Sequence, residues 1–214
     1  MTTFIVATRN AHKTAEIRQI LGGAFRVRDL SEFPDAPAVV EDADTFAGNA
    51  RKKVESLARW FPKNSFSEEI YILADDSGLE VDALGGAPGV HSARFAALDT
   101  GSHGNSPDSA NNAKLLRLLQ GIAPDQRSAR FRCVLALMSN RDGKTACFEG
   151  ACEGRIADAP SGSGGFGYDP LFVPEGYEHS LADLGENVKN KLSHRAKALE
   201  KLRLYLHGEN GGVS

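Results

Sequence analysis

Phe4-Ile5-Val6-Ala7-Thr8-Arg9-Asn10-Ala11-His12-Lys13 holds the first change of hydrophobic period in this chain. Phe4 to Ala7 is a short apolar run of strand type. From Asn10 onward Ile17, Ile20 and Leu21 recur at helical spacing. A strand that ends in Thr-Arg-Asn and opens a helix begins an α/β alternation, and the pattern continues. Residues 45–60 predict a second helix, capped by Thr45, with Phe46, Ala50, Val54, Leu57 and Ala58 in one stripe. Residues 70–74 read as a strand that the turn composition Asp75-Asp76-Ser77-Gly78 is expected to stop. A third helix is expected over 108–119. Two longer β segments, 129–139 and 145–156, flank Asn140-Arg141-Asp142-Gly143, a hairpin signal. Residues 187–206 read as a basic amphipathic helix, 101–107 as a surface loop and 208–214 as a fraying tail. Early alternation followed by hairpin pairing predicts an α/β fold with a mixed sheet.

The chain has 214 residues, enough for one domain or two small lobes sharing a core. Lys and Arg total 25 and Asp and Glu 28, a net charge of −3, which removes the simplest reading of a nucleic-acid binder. A hydrophobic share of 41% argues against disorder. No apolar stretch approaches the ~20 residues of a membrane span. No basic region precedes the apolar run at Phe4, so no secretory signal is expected. Cys133, Cys147 and Cys152 form no CxxC pair and fit small core residues in a reducing cytoplasm. Glycine is in surplus, 22 residues, about 10% against an average of about 7%.

Four places in the sequence carry chemistry. The exit of the first strand aims backbone N–H groups and a helix dipole at whatever lies beyond it, an anion site to which Thr8, Asn10 and Lys13 add donors and charge. An ordinary N-cap by Asn10 is the other reading. Glu41, Asp42 and Asp44 precede the second helix, where acids are good caps. Asp75 and Asp76 lie at the expected strand end. Successive strand side chains face opposite ways, so at most one of that pair points straight into a cleft. Such a carboxylate joined by Glu41 would offer the hard oxygen ligands that Mg²⁺ accepts alongside substrate phosphates.

The segments 75–90 and 161–170 hold eight glycines, the second around Phe166, Tyr168, Asp169 and Pro170. Glycine beside aromatics suits a backbone passing close to a planar group; a turn with core aromatics is the alternative. Finally, Lys189, His194 and Arg195 offer donors to a carbonyl-bearing base, or form a solvated helix face. The remaining histidines show no zinc-ligand spacing, and no serine or cysteine has an indicated base for a nucleophilic triad.

In this order, four blocks resemble the inosine triphosphate pyrophosphatase family, the non-canonical purine NTP pyrophosphatases. They are Ala7-Thr8-Arg9-Asn10-Ala11-His12-Lys13, Glu41 with Thr45-Phe46-Ala47-Gly48-Asn49-Ala50, Ala74-Asp75-Asp76-Ser77-Gly78-Leu79 through Pro88-Gly89-Val90-His91-Ser92-Ala93-Arg94, and Gly164-Gly165-Phe166-Gly167-Tyr168-Asp169-Pro170 with Ser193-His194-Arg195. The resemblance implies an elongated, two-lobed α/β fold over 1–207, a central mixed sheet, a nucleotide cleft between the lobes and a homodimer. It implies that Thr8, Arg9, Asn10, Ala11, His12 and Lys13 bind the triphosphate. Glu41 and Asp76 would be the Mg²⁺-associated carboxylates, with Asp75 beside them, Asp76 the base for water and Ser77 a substrate contact. Phe166, Gly167, Tyr168, Asp169, Lys189, His194 and Arg195 would recognise base and sugar. The chain departs from the family at Arg9, where glycine is usual, and at His91 and Phe95, where tyrosines are usual. The implied reaction is hydrolysis of ITP, dITP and XTP to monophosphate and pyrophosphate. A pyrophosphatase for modified pyrimidine nucleotides, or a non-catalytic nucleotide sensor, are the rival expectations.

Overall fold

The computed structural model describes residues 2–61, 68–102 and 104–210. Its elements are β1 (Thr2–Val6), α1 (Ala11–Leu21), β2 (Phe25–Asp29), α2 (Phe46–Trp60), β3 (Ile70–Val81), α3 (Asp108–Leu118), β4 (Ser128–Ser139), β5 (Thr145–Ile156), β6 (Phe172–Pro174), α4 (Leu181–Leu184), α5 (Glu186–Leu192) and α6 (His194–Asn210), with short 3₁₀ turns between them. The strands form one open sheet in the order β2-β1-β3-β4-β5-β6. β1 runs parallel to both β2 and β3, with Val6 opposite Asp29 and Leu73, whereas β5 and β6 are antiparallel. The sheet is therefore mixed and the fold α/β, as the alternation predicts.

Two compact units divide the chain: Met1–Asp76 with Cys133–Gly150 and Arg195–Ser214, and Ser77–Arg132 with Ala151–His194. In the first, Phe4, Val6 and Leu73 share a buried cluster with Ile17 and Leu21 of α1, Leu135 and Leu137 of β4, and Ala198, Leu199 and Leu202 of α6. Alternation along the strands explains this set, because Phe4 and Val6 of β1 share one face of the sheet. In the second, Leu79, Val81, Ala129, Phe131, Ile156 and Phe172 pack with Leu115 and Leu119 at the end of α3.

Three expectations are corrected. β3 does not stop at Asp75 but runs on to Val81, so both aspartates are strand residues. Asp and Ser favour turns by bonding nearby backbone, and Gly by its freedom of backbone conformation. Here the two carboxylates are instead taken by cations from other elements, which removes that competition. The last helix, expected over 187–206, is two: Ser193 adopts an extended ψ of 157° between α5 and α6. Serine is a preferred residue for such a break. α6 also continues through Asn210 into the expected fraying tail; residues 211–214, and His103 of the expected 101–107 loop, lie outside the described residues. The pattern reading misses β2, a five-residue strand whose Arg26 and Arg28 alternate with apolar residues at the sheet edge. Charged residues are common on such edges because they discourage pairing with other chains.

Leu199 is fully buried in the first cluster. Leu199→Ala is expected to lower the unfolding free energy by about 2–5 kcal/mol, read from urea melts with an unchanged m-value.

Candidate active site

At the mouth of α1, Asn10 accepts hydrogen bonds through Oδ1 from the N–H groups of His12 (3.0 Å) and Lys13 (3.2 Å), and its own N–H donates to Thr8 Oγ1 at 3.1 Å. The cap expected of Asn10 therefore exists and orders the Thr8–Lys13 turn. Arg9, exposed as a residue, turns its guanidinium onto the Ala36 carbonyl at 2.6 Å, where it pins the 34–36 loop. Lys13 does not extend into solvent. Its ammonium reaches Asp75 Oδ1 at 2.5 Å.

Asp75 and Asp76 are adjacent on β3 and face opposite ways, so they meet different elements. Asp75 is fully enclosed by Lys13 of α1, Arg195 Nε at 2.8 Å from α6, and the Cys133 thiol at 3.3 Å from β4. Arg195 also pairs with Glu16 of α1. Asp76 meets α2, accepting from Lys53 Nζ at 3.0 Å and Asn49 Nδ2 at 3.2 Å. Lys53 also reaches Glu41 Oε2 at 2.8 Å. One buried ammonium thus joins the two carboxylates that the sequence singled out.

These surroundings push the two aspartates apart. Burial raises the Asp76 carboxyl to about 6, against the pull of Lys53 and Lys13 and with a further upward push from Glu41. Burial works against charge on Asp75 too, but Arg195 and Lys13 overcome it and hold this carboxyl well below the usual carboxylate range. Glu41 is also lowered, because Lys53 outweighs its partial burial. Lys53 is itself raised: the attraction of Asp76 and Glu41 exceeds its desolvation, so it stays an ammonium. Burial, reinforced by Asp75, raises the Cys133 thiol far above its ordinary value, which leaves it un-ionised and unsuited to nucleophilic attack.

The donor set bears on the expected cation. Mg²⁺ takes one or two carboxylates together with phosphate oxygens, and Glu41 with Asp76 is a pair of that type. Among the described residues no group of three or more His, Cys, Asp or Glu forms a protein-only cage. Asp75, expected beside that pair, places its oxygens against Lys13 and Arg195.

The second unit holds the other expected group. Phe166 presents its ring to Lys189 Nζ, 4.4 Å from the centroid. Lys189 is buried against Asp169 Oδ2 at 2.6 Å, and the same oxygen accepts the Phe166 N–H at 2.8 Å. His194 stacks on Phe131 with centroids 4.9 Å apart. Three of the residues expected to contact the base have protein partners of their own. Tyr168 is buried in the core with its hydroxyl on the Ser92 carbonyl. Asp169 staples the glycine segment, and Arg195 is committed to Asp75 and Glu16. At some of the glycines the chain itself comes close: a Cβ on Gly165 would meet the Asp169 carboxylate. Ser77 follows Asp76 on β3 and is half-buried.

Lys53 lies outside the quoted motifs, and Asn49, inside one of them, is given no role there. A signal existed: they occupy the buried stripe of α2 with Phe46, Ala50, Val54 and Leu57, polar residues at helical spacing on an apolar face. A buried lysine requires a partner, and the acids at 41 and 76 supply it.

Residues 4–205 match the model of the Ham1 family. A dITP/XTP pyrophosphatase of Desulforamulus reducens is 47% identical over 211 residues, covering 96% of this chain and 98% of that protein. A dITP/XTP pyrophosphatase of Shouchella clausii is 44% identical, covering 97% and 98%. The Staphylococcus aureus Ham1 protein has a similar structure, with a TM-score of 0.80, 37% identity and coverage of 97% and 99%.

Asp75→Asn is expected to cost about 3–5 kcal/mol at pH 7, because it leaves buried cations uncompensated. Asp75 has a depressed folded-state pKa, so its contribution is complete above the ordinary value of 3.8 and is lost only as pH falls further. Urea melts should therefore show the parent's advantage persisting down to that value and narrowing below it. In protein free of metal and nucleotide, carboxyl-carbon NMR should find Asp76 titrating at about 6. Lys53→Met should move that titration higher, since the ammonium pulls it down.

Proposed function

The chain belongs to the Ham1 family, and on that premise we propose that it hydrolyses non-canonical purine nucleoside triphosphates (ITP, dITP and XTP) to the monophosphate and pyrophosphate. The observation that carries this reading is Asp76, a buried carboxyl raised to about 6 beside Lys53 and Glu41. A base is most effective when its pKa lies near the working pH, where it is ionised yet still able to take a proton. Asp76 accepts the proton of a water attacking the α-phosphorus. The bond from that phosphorus to the bridging oxygen breaks, and pyrophosphate leaves with the electron pair.

Lys53 keeps Asp76 ionised and sets positive charge beside the reacting phosphate, and the Thr8–Lys13 turn receives the triphosphate. Mg²⁺, held by Glu41 and Asp76, would neutralise charge building on the phosphate oxygens. Asn49 fixes the orientation of the Asp76 carboxylate through its amide.

Base selection falls to Phe166, which offers a stacking face, and to Lys189 and His194, which offer donors to a 6-keto oxygen. Adenine presents an amine at that position and leaves such donors unpaired, a mismatch that buried sites reject strongly. The same reading takes the enzyme to be a cytoplasmic homodimer that acts on free nucleotides rather than on nucleic acid. Among the described residues no helix is long and apolar enough to cross a membrane.

The test is a product assay with dITP, dGTP and dUTP, with and without Mg²⁺. Pyrophosphate from dITP is expected, with little from the other two and little without the metal. Orthophosphate as the product would overturn the reaction, and equal rates on all three would overturn the selectivity. Asp76→Asn should reduce turnover at least about 10²-fold while nucleotide binding persists.

A further inference from the structure

Two side chains of α3 serve neither the core nor the reaction. Asp108, the first residue of the helix, accepts the Gly167 N–H through Oδ2 at 2.7 Å. Asn112, one turn later on the same face, donates from Nδ2 to the Gly167 carbonyl at 3.0 Å. Gly167 is thereby held through both its backbone donor and its acceptor by one helix. Its φ is +63° and, among the described residues beyond its chain neighbours, no atom lies within 4 Å of where a Cβ would sit, so glycine is needed there for conformation rather than for space.

Two other facts bear on the purpose of this clamp. Asp108 alone could be ascribed to the helix dipole, which favours an acid in the first turn. Asn112 cannot, since asparagine is a poor residue inside a helix and sits here beyond the capping positions. Its Oδ1 is buried without a hydrogen-bond partner among the described residues, so only the donor half of the amide is used. The segment it grips is the one that carries Phe166. Immediately before Gly167, the Phe166 N–H is fixed by Asp169, which also holds Lys189 over the ring. Phe166 is thus anchored at its own N–H and at the residue that follows it.

We infer that Asp108 and Asn112 are positioning residues for base selection. By gripping Gly167 they fix the Phe166 ring relative to Lys189, so that a purine meets the stacking face and the donor in one register. A 6-keto base is then distinguished from its competitors by hydrogen bonding rather than by stacking alone. The inference rests on the proposed function, because it takes this segment to be the base-recognition surface.

The test compares the parent chain with Asn112→Leu, Asp108→Ala and Asp108→Asn. Leucine keeps the branched shape of the side chain at position 112 and favours the helix but removes the donor; asparagine at 108 retains an oxygen that can accept the Gly167 N–H. For Asn112→Leu and Asp108→Ala, KM for dITP should rise roughly tenfold, the loss expected for one hydrogen bond. Their kcat should stay within about twofold, and the dITP-over-dGTP preference should fall. Asp108→Asn should restore parental values. Inhibition by inorganic triphosphate, which has no base, should be the same in all four proteins. Unchanged KM and preference would overturn the inference, and so would a loss of triphosphate inhibition parallel to the rise in KM. Calorimetric binding of dITP makes the same comparison without turnover. A parent that releases no pyrophosphate would then count against the function, whereas equal dITP affinities in parent and Asn112→Leu would count against this inference.

Discussion

The carboxylate of Asp75 and the guanidinium of Arg195 are both removed from water, and the first unit is arranged around keeping them satisfied. Removing two such charges from solvent costs several kcal/mol each unless every remaining hydrogen-bonding position is met. Lys13 and Cys133 complete the surroundings of Asp75, and Glu16 takes the other side of Arg195. The pair therefore links β3, α1, β4 and α6, four elements far apart in sequence. It also locks the rotation of β3, because a strand that commits Asp75 to one face must present Asp76 on the other. The acid proposed for catalysis owes its orientation in part to the neighbour that pairs with Arg195.

The two aspartates share residue type, strand and near-complete burial, yet their proton affinities diverge. Asp75 has two cations against it and stays charged far into the acid range. Asp76 shares its main cation, Lys53, with a second carboxylate, so neutralisation is incomplete and burial prevails. A carboxyl near 6 results from this deliberate shortage of positive charge. Lys53 is correspondingly overcommitted, and its ammonium form is secured by both acids. Such a triad is sensitive to any further charge brought to it, which is what a phosphate or a divalent cation does.

The second unit uses backbone restraint where the first uses charge. Its glycine segment 161–170 has few side chains with which to pack, so side chains from elsewhere hold the peptide groups: Asp169 at Phe166, and Asp108 and Asn112 at Gly167. A ring presented from such a segment has a defined orientation only because its neighbours' N–H and carbonyl groups are fixed. The burial of Tyr168, whose hydroxyl meets the Ser92 carbonyl, anchors the same stretch to the core.

Much of this was legible in the amino-acid order. Periodicity placed α1, α2, α3 and the long hairpin strands closely, because their apolar stripes and caps are local features; Asn10 and Thr45 cap the helices they were expected to cap. The ordered blocks around Thr8, Asp76 and Phe166 identified the family. The sequence alone could not say that β3 would run through Asp75-Asp76-Ser77-Gly78, since a turn composition yields to a strand only when distant cations claim the carboxylates. Nor could it separate the surroundings of Asp75 and Asp76, pair Arg195 with Asp75 and Glu16, or bring Lys53 between Glu41 and Asp76. Residue type and spacing determine which groups are available and which local conformations they favour. Which carboxylate is held in its charged form, which is pushed towards neutral pH and which lysine is shared depend on partners tens of residues away, and only tertiary packing brings those charges within reach.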